Sequence, residues 1–261
     1  MGPLRKTLAL RGPASLKKSR SDLGGVRVAA PSRTEFLRLL DRVEEEVAEA
    51  RRLWAQLRAR RRAPLLWVLV HTVLSHQTPG PRTYRASRRV WARYRSLEQL
   101  ARARPEDLEP LVREVGLGRV KSARLVALAR AVQARWKTLA AFAAVLRSAP
   151  LEQAWQALLD LPGVGPKSAA VVLLFRYRRP KFPVDTNILR VAQTLGWVEG
   201  RDPEAVRFLV EAVLGPDPDL LLRAHADLLA LGRATQRSRS GALWERVCGR
   251  PLRKTRGSVR I

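Results

Sequence analysis

The chain is poor in the residues that ligate metal ions. It has one cysteine, Cys248, among 261 residues, so it cannot build a disulfide framework or a thiolate metal cluster by itself. Its three histidines (His71, His76 and His225) lack the spacing of metal ligands. We therefore expect no metal site in this protein.

Long apolar runs are also missing. The run Leu65–Leu74 is too short to span a bilayer and contains His71. The apolar stretch at residues 8–10 is too short for the core of a signal peptide. We expect no membrane partner. The N-terminal segment contains arginine and serine but hardly any acid, so an organelle transit peptide stays an alternative there.

Acidic residues are scarce relative to basic ones. Lysine and arginine total 50 against 23 aspartates and glutamates, which gives a formal net charge of +27. A field of that sign attracts polyanions and indicates a nucleic-acid partner, although an arginine-rich proteome is an alternative explanation. Asp22 is the sole acid in residues 1–33, and Glu245 is the sole acid in residues 233–261. We predict a disordered basic arm over residues 1–33 and a mobile basic tail over residues 236–261, both contacting phosphates without base specificity.

No segment alternates polar and apolar residues as a strand would. Residues 34–60 carry apolar side chains at three- and four-residue spacings, which predicts one amphipathic helix. Pro64 fits the first turn of a second helix that runs to about Ser75 and is apolar on most faces, as is typical of a core helix. Helical patterns continue to residue 231. We predict an all-α fold of about ten helices.

The most specific pattern is a glycine turn at residues 161–169, Leu-Pro-Gly-Val-Gly-Pro-Lys-Ser-Ala. Its two glycines allow a tight hairpin between helices, and its amides would point outward at the positive end of the next helix, where phosphates bind. A glycine-capped corner without a ligand is the alternative interpretation. The sequence Val-Asp-Thr-Asn at residues 184–187 follows, with a carboxylate at the start of another helix. Together the two segments supply a phosphate site, an amine in Lys167 and an acid in Asp185.

These segments resemble the helix-hairpin-helix DNA glycosylase superfamily (HhH-GPD), most of all its endonuclease III branch. Two further segments agree in order: Leu-Ser-His-Gln at residues 74–77 is similar to the family's Leu-Ser-x-Gln loop, and Val-Gly-Leu at residues 115–117 with Lys-Ser-Ala at residues 121–123 is similar to its wedge loop. The resemblance extends from about residue 64 to about residue 235.

The resemblance implies two helical domains that flank a DNA-binding groove. One combines residues 34–63 with residues 184–235. The other, residues 64–183, is a six-helix barrel that contains the helix-hairpin-helix motif at about residues 154–176.

The resemblance also assigns roles to individual residues. Lys167 stands where bifunctional members carry their nucleophile, and Asp185 stands where nearly all members carry an essential aspartate. DNA contacts are implied for a further set: Gln77, Leu117, Gly163, Val164, Gly165 and Asn187. Gln77 would fill the space left by a flipped nucleotide, and Leu117 would wedge into the opposite strand. Without the resemblance, Gln77 is a polar helix terminus, Leu117 a core leucine and Lys167 a solvated surface lysine.

The chemistry places requirements on both catalytic candidates. Lys167 must be neutral to attack C1′ of the sugar, and its place in the first turn of a helix disfavours the ammonium form. Attack would expel the base and leave an imine, which allows β-elimination of the 3′ phosphate. Asp185 is predicted to cap its helix by accepting the amide of Asn187 or Ile188, and to stabilise positive charge that develops on the sugar.

The chain departs from the family near its C-terminal end. Relatives usually hold a [4Fe–4S] cluster on four cysteines, whereas Gln236 stands in the place of the first one and only Cys248 lies beyond it. We predict no cluster and no other cofactor. Packing of Leu243, Trp244 and Val247 would then hold this segment, or it would stay loose.

The resemblance and the charge together predict a base-excision-repair DNA glycosylase with AP-lyase activity on damaged bases, chiefly oxidised pyrimidines, in duplex DNA. Two alternatives stay open. One is a DNA-binding protein that kept the fold and lost the activity, and the other is a monofunctional glycosylase for alkylated or mismatched bases. We expect a monomer with double-stranded DNA as its partner, located in the cytoplasm on the nucleoid of a bacterium, or in the nucleus or an organelle of a eukaryote.

Overall fold

The computed structural model describes residues 21–23, 26–238 and 241–251 of the chain. Within these ranges the fold is all-α, as the sequence predicts. It has fourteen α-helices joined by short loops, rather than the ten or so predicted. They are α1 (Arg33–Glu46), α2 (Glu49–Ala59), α3 (Leu65–Leu74), α4 (Gly80–Arg93), α5 (Leu97–Arg102), α6 (Pro105–Val112), α7 (Gly118–Trp136), α8 (Leu139–Ser148), α9 (Leu151–Leu159), α10 (Pro166–Val171), α11 (Thr186–Thr194), α12 (Pro203–Leu214), α13 (Pro218–Arg237) and α14 (Ala242–Cys248). Short 3-10 turns follow α2 (Arg60–Arg62) and α6 (Arg113–Val115), and a π-helical stretch, Val172–Arg176, continues α10. Among the helices described, none has both the length and the hydropathy of a membrane span.

The single helix predicted over residues 34–60 is two helices, because the chain breaks between Glu46 and Glu49. Val47 is extended (φ −121°, ψ 90°) and only 5% exposed, and Ala50 at the start of α2 is fully buried. No glycine or proline marks this break. Burial of both apolar residues on the same core therefore overrides a continuous helical pattern, as tertiary packing commonly does.

A pair of short antiparallel strands precedes the helices, β1 (Ser21–Leu23) and β2 (Val26–Val28). The sequence gives no sign of it, since strands this short cannot display an alternating pattern. The Ala29 amide donates to the Trp197 carbonyl at 2.8 Å, which joins the end of β2 to the loop after α11. The rest of the predicted arm and tail, at residues 1–20, 24–25, 239–240 and 252–261, lies outside the described residues.

The buried apolar side chains form two clusters, called here the first and second core. The first core is built by α1, α2 and α11–α14, and the second by α3–α9. Helix α10 and its π-helical stretch contribute to both: Val172 and Leu173 lie in the second core, and Leu174 and Phe175 in the first. The seam between the cores therefore follows α10, and π-helical stretches are frequent at functional sites. The domain boundaries drawn from the sequence stay predictions.

The C-terminal helix is held by packing, one of the two alternatives that the sequence left open. Trp244 and Val247 are buried in the first core at 2% and 0% exposure. Arg42 Nε donates to the Val247 carbonyl at 2.6 Å, and Arg246 Nε pairs with Glu46 at 2.7 Å. These contacts fix α14 on α1.

One carboxylate lies in the first core without a hydrogen bond. Asp227 on α13 is fully buried, and neither of its carboxylate oxygens has a hydrogen-bond partner within the described residues. Burial raises the pKa of Asp227 from 3.8 to about 8; Glu44 and Asp41 act in the same direction, and Arg223, whose Nε is 3.7 Å from Oδ2, opposes them. The folded protein therefore keeps a proton on this group that the unfolded chain releases.

This proton should make the protein less stable as the pH rises from about 4 to about 8, because the folded state binds it and the unfolded state does not. We expect Asp227→Asn, which is neutral at every pH, to remove that dependence. Its Tm should exceed that of the wild type by more at pH 9 than at pH 5, and the two differences should be at least about 2 °C apart, the shift that 1 kcal/mol produces in a chain of this size. Thermal unfolding at both pH values is the measurement, and an equal difference in Tm at pH 5 and pH 9 would contradict the expectation.

Candidate active site

The glycine turn joins α9 to α10 as a tight hairpin. Gly163 has a φ of +78°, and a Cβ atom there would lie 3.3 Å from Cδ of Arg124 on α7, so this position requires glycine. Val164 is 7% exposed and packs its side chain into the second core. The amides of Gly163 and Gly165 have no hydrogen-bond partner within the described residues. They lie just before the N-terminus of α10, where the helix dipole is positive, so the backbone of the turn is available to an anion.

Lys167 and Asp185, the two residues predicted to carry the chemistry, line one cavity of about 250 Å³. Helices α2 and α13 of the first core, α3 and α4 of the second core, and α10 between them form its walls, so it lies on the seam between the cores. Its polar and charged lining residues are Gln56, Arg60, His71, Thr72, Ser75, Thr78, Thr83, Lys167, Asp185, His225 and Arg233. The structure thus brings together the amine and the carboxylate that the sequence singled out.

The surroundings of Lys167 disfavour its charged form. Its side chain is exposed to the cavity, yet protein surrounds it on most sides. This partial removal from water lowers the pKa of Lys167 below its ordinary 10.5; Asp185 opposes the shift, and the guanidinium groups of Arg60 and Arg233 add to it. The neutral, nucleophilic amine therefore forms at a lower pH than it would on an isolated surface lysine. Sequence reasoning missed both arginines, because nothing distinguishes them among so many basic residues.

Asp185 is the N-cap of α11, as the sequence predicts. Its Oδ1 atom accepts the amides of Asn187 and Ile188, both at 2.9 Å, and its Oδ2 atom accepts the side-chain amide of Asn187 at 3.1 Å. The structure therefore places Asn187, predicted to contact DNA, beside the carboxylate, where it helps to fix the direction of that group. Helix α13 crosses closely behind, since a Cβ atom at Gly232 would lie 2.9 Å from Cβ of Asn187.

Two histidines of the cavity were also missed. His225 on α13 is 3% exposed, and its Nδ1 atom donates to the Pro183 carbonyl at 2.9 Å. His71 on α3 bonds through Nδ1 to the Ser87 hydroxyl at 3.2 Å. Burial lowers the pKa of His71 to about 4 and also lowers that of His225, against the opposing charge of Asp185, so both rings are neutral at neutral pH. The signal in the sequence, a histidine among apolar residues, is equally typical of a structural core position.

Gln77 and Leu117 lie on adjacent loops near the cavity. Both have left-handed backbones, with φ angles of 52° and 50°, which are uncommon for residues other than glycine. Leu117 is 60% exposed, so it is not a core leucine. Thr78, which lines the cavity next to the exposed Gln77, donates its hydroxyl to the Val115 carbonyl at 2.7 Å and so joins the two loops.

The residues present do not fit the four-cysteine iron–sulfur cluster that the family resemblance implies. Cys248 is the one cysteine of the chain, and burial raises the pKa of its thiol to about 12, the opposite of what a metal-bound thiolate requires. No group of three His, Cys, Asp or Glu residues in the described part of the chain could hold a metal ion. Gln236, in the place of the first cysteine, lies against Asn187 and Arg190 and can bond both through its amide. A single chain therefore has no ligand set for a four-cysteine cluster.

The positive charges of Arg60 and Arg233 should lower the pKa of Lys167 by electrostatic repulsion of its ammonium form. We expect Arg60→Gln and Arg233→Gln each to raise that pKa, because either change removes a positive charge, and Asp185→Asn to lower it, because that change removes the opposing negative charge. Carbon-13 NMR titration of reductively methylated lysines is the measurement. Arg62→Gln, in the same 3-10 turn as Arg60 but outside the cavity lining, should leave the pKa of Lys167 unchanged. An unaltered value in both cavity variants would contradict this assignment.

The fold is similar to that of solved structures of DNA-repair proteins. A trapped endonuclease III–DNA covalent intermediate matches with a TM-score of 0.57 and 24% sequence identity, over 66% of this chain and 76% of that one. The 3-methyladenine DNA glycosylase of H. pylori bound to 1,N6-ethenoadenine matches with a TM-score of 0.55 and 16% identity, over 72% of this chain and 98% of that one. At these identities the likeness concerns the fold alone.

The sequence is similar to curated proteins named endonuclease III. The protein of Thermotoga maritima is 35% identical over 150 residues, which span 58% of this chain and 65% of that protein. The protein of Rickettsia conorii is 29% identical over 166 residues, 64% of this chain and 73% of that protein. Residues 70–216, which include the glycine turn, Lys167 and Asp185, match the family model of HhH-GPD superfamily base excision DNA repair proteins. The chain belongs to the HhH-GPD superfamily of base excision DNA repair proteins.

Proposed function

We propose that this protein is a bifunctional DNA glycosylase, which removes a damaged base from duplex DNA and then cleaves the abasic strand by β-elimination. The observation that carries the proposal is that Lys167 and Asp185 line the same cavity. A base inside a duplex is unreachable, so the damaged nucleotide has to be flipped out of the stack and into this cavity.

The protein holds the DNA through charge and through its turns. The net charge of +27 attracts the duplex. The amides of Gly163 and Gly165 bind a phosphate, and Val164 anchors the hairpin in the second core. Gln77 and Leu117, exposed on their adjacent loops, fill the space that the flipped nucleotide leaves. The protein acts as a monomer, in whichever compartment holds the DNA.

The chemistry begins when the neutral amine of Lys167 attacks C1′ of the flipped nucleotide. The new nitrogen–carbon bond replaces the glycosidic bond, whose electron pair leaves with the base, and the proton that the amine gives up through Asp185 neutralises the departing base. Asp185, aimed by its capping bonds, stabilises the positive charge that develops on the sugar and accepts a proton from the attacking amine. The sugar ring then opens to an imine, loss of a C2′ proton breaks the C3′–oxygen bond, and the 3′ phosphate departs.

The polar lining of the cavity supports a pyrimidine that carries extra oxygen atoms. Thr72 and Thr83 donate their hydroxyls to backbone carbonyls, which leaves hydroxyl lone pairs to accept hydrogen bonds. The guanidinium of Arg60 adds donors on the same space, and neutral His71, whose Nδ1 atom donates to the Ser87 hydroxyl, adds an acceptor at Nε2. Oxidised pyrimidines present hydroxyl and carbonyl groups that match this set, and they are the substrate class we propose.

Borohydride should trap wild-type protein covalently on a duplex that contains thymine glycol or an abasic site, because it reduces the imine to a stable amine. We expect Lys167→Ala to form no adduct. Lys137→Ala, which alters an exposed lysine at the far end of α7, should trap as the wild type does. A wild type that forms no adduct, or an undiminished adduct in Lys167→Ala, would refute the nucleophile. Base removal without strand scission would favour the monofunctional alternative, and salt-sensitive binding without either reaction would favour the non-catalytic one.

Replacement of Asp185 by asparagine should separate its two roles. Asparagine caps a helix as well as aspartate does, so the Tm of Asp185→Asn should stay close to that of the wild type. The charge and the proton acceptor are lost, so single-turnover base excision should slow by about 10²–10⁴-fold, the usual contribution of a general acid or base. Asp217→Asn, which changes the cap of α13 in the same way, should leave the rate unaltered. Equal rates in Asp185→Asn and the wild type would rule out a chemical role for this carboxylate.

A further inference from the structure

A buried lysine connects the two loops that carry Gln77 and Leu117. Lys121, in the first turns of α7, is only 2% exposed. Its Nζ atom lies within hydrogen-bond distance of four oxygens, which share its three N–H donors: the carbonyls of Leu74 (3.1 Å), His76 (2.7 Å) and Val115 (2.8 Å), and the hydroxyl of Thr78 (2.7 Å). No carboxylate is among these partners, so the amine serves as a donor to backbone groups rather than as half of an ion pair.

The partners of Lys121 come from both loops. Leu74, His76 and Thr78 surround Gln77, and Val115 lies two residues before Leu117. The carbonyl groups at the C-terminus of α3 have no helical partner of their own, and a positive charge is favourable there. The Lys121 side chain therefore donates both to carbonyl groups at the end of α3 and to the neighbouring loop.

Both loops carry a residue in a conformation that costs energy. The left-handed backbones of Gln77 and Leu117 persist only where the surrounding structure holds them. Two sets of hydrogen bonds bridge the loops close to Gln77 and Leu117. One is formed by the amine of Lys121, which contacts both Thr78 and Val115, and the other is the direct bond from Thr78 to Val115. A buried amine with short hydrogen bonds holds its partners rigidly, because any movement would leave a desolvated donor unpaired.

The same region also contacts the glycine hairpin. The Arg124 side chain, one turn beyond Lys121 on α7, lies against Gly163. His76 Nε2 bonds to the Ser168 hydroxyl at 2.9 Å, next to Lys167. The start of α7 therefore contacts, directly or through one residue, the glycine hairpin and the loops of Gln77 and Leu117, which are the turns proposed to bind DNA.

We propose that Lys121 is a positioning residue that holds Gln77 and Leu117 at a fixed separation, so that both enter the duplex together when the nucleotide is flipped. This inference rests on the proposed function. It predicts that loss of the Lys121 amine slows strand cleavage where a paired nucleotide has to leave an intact duplex. Cleavage should change little where no opposite strand is present.

The test compares two substrates for the same strand cleavage. We expect Lys121→Met, which keeps the length and apolar stem of the side chain, to lower kcat/KM on damaged duplex DNA by about 100-fold, the scale for misplacing a group by about 1 Å. Cleavage of a single-stranded abasic oligonucleotide should stay close to the wild-type rate. Lys137→Met, at the exposed end of the same helix, is the matched control and should preserve both rates.

A second variant covers the case in which Lys121→Met folds poorly. Thr78→Val removes one acceptor of Lys121 and the direct Thr78–Val115 bond while it leaves the amine in place. Because Thr78 lines the cavity, the rate on the single strand can fall as well, but the rate on the duplex should fall further, by less than Lys121→Met lowers it. Adding Lys121→Met to a Gln77→Ala, Leu117→Ala background should cause little further loss on the duplex, because the residues that Lys121 positions are already gone.

The outcomes separate the inference from the proposed function. Equal losses on duplex and single-stranded DNA, or full additivity with Gln77→Ala and Leu117→Ala, would show that Lys121 is merely structural and would overturn the inference. A wild type that cleaves neither substrate would instead refute the proposed function on which the inference rests.

Discussion

The protonation state of the Lys167 amine depends on opposing effects of burial and neighbouring charges, and the chemistry of the cavity depends on that state. Asp185 alone would favour the ammonium form, because an opposite charge stabilises it. Removal from water and the two nearby guanidinium groups of Arg60 and Arg233 outweigh that attraction, so the pKa of the lysine falls. A neutral amine and a carboxylate can therefore share one small space without forming an ion pair.

The backbone supplies the placement that this balance requires. Helix α10 carries Lys167 in its first turn and packs on both cores, so the amine lies on their seam. His225, Leu229 and Arg233 line the cavity at four-residue intervals, which places them on one face of α13. The close crossing at Gly232 brings α11 against that helix, and the cap of α11 is Asp185 itself. The electrostatics of the site thus follow from how three helices meet.

Local patterns in the sequence predicted what is local in the structure. The glycine turn, the lysine after it and the capping role of Asp185 all depend on a few consecutive residues, and each lies where expected. Leu117 is exposed, whereas hydrophobicity alone would have buried it, and the wedge role that the resemblance implies for it stays a prediction. The cavity's histidines and arginines, and the break at Val47, depend on contacts between distant segments. The periodic pattern of apolar residues carries no information on such contacts, so they could not be predicted from the sequence alone.

The central claim is that the Lys167 amine and the Asp185 carboxylate converge on one deoxyribose. A crystal structure of the borohydride-reduced complex with duplex DNA tests it most directly. We predict a covalent bond from Nζ of Lys167 to C1′ of a flipped sugar, with the Asp185 carboxylate in contact with that sugar. An adduct through a different residue, or a sugar bound away from Asp185, would contradict the claim.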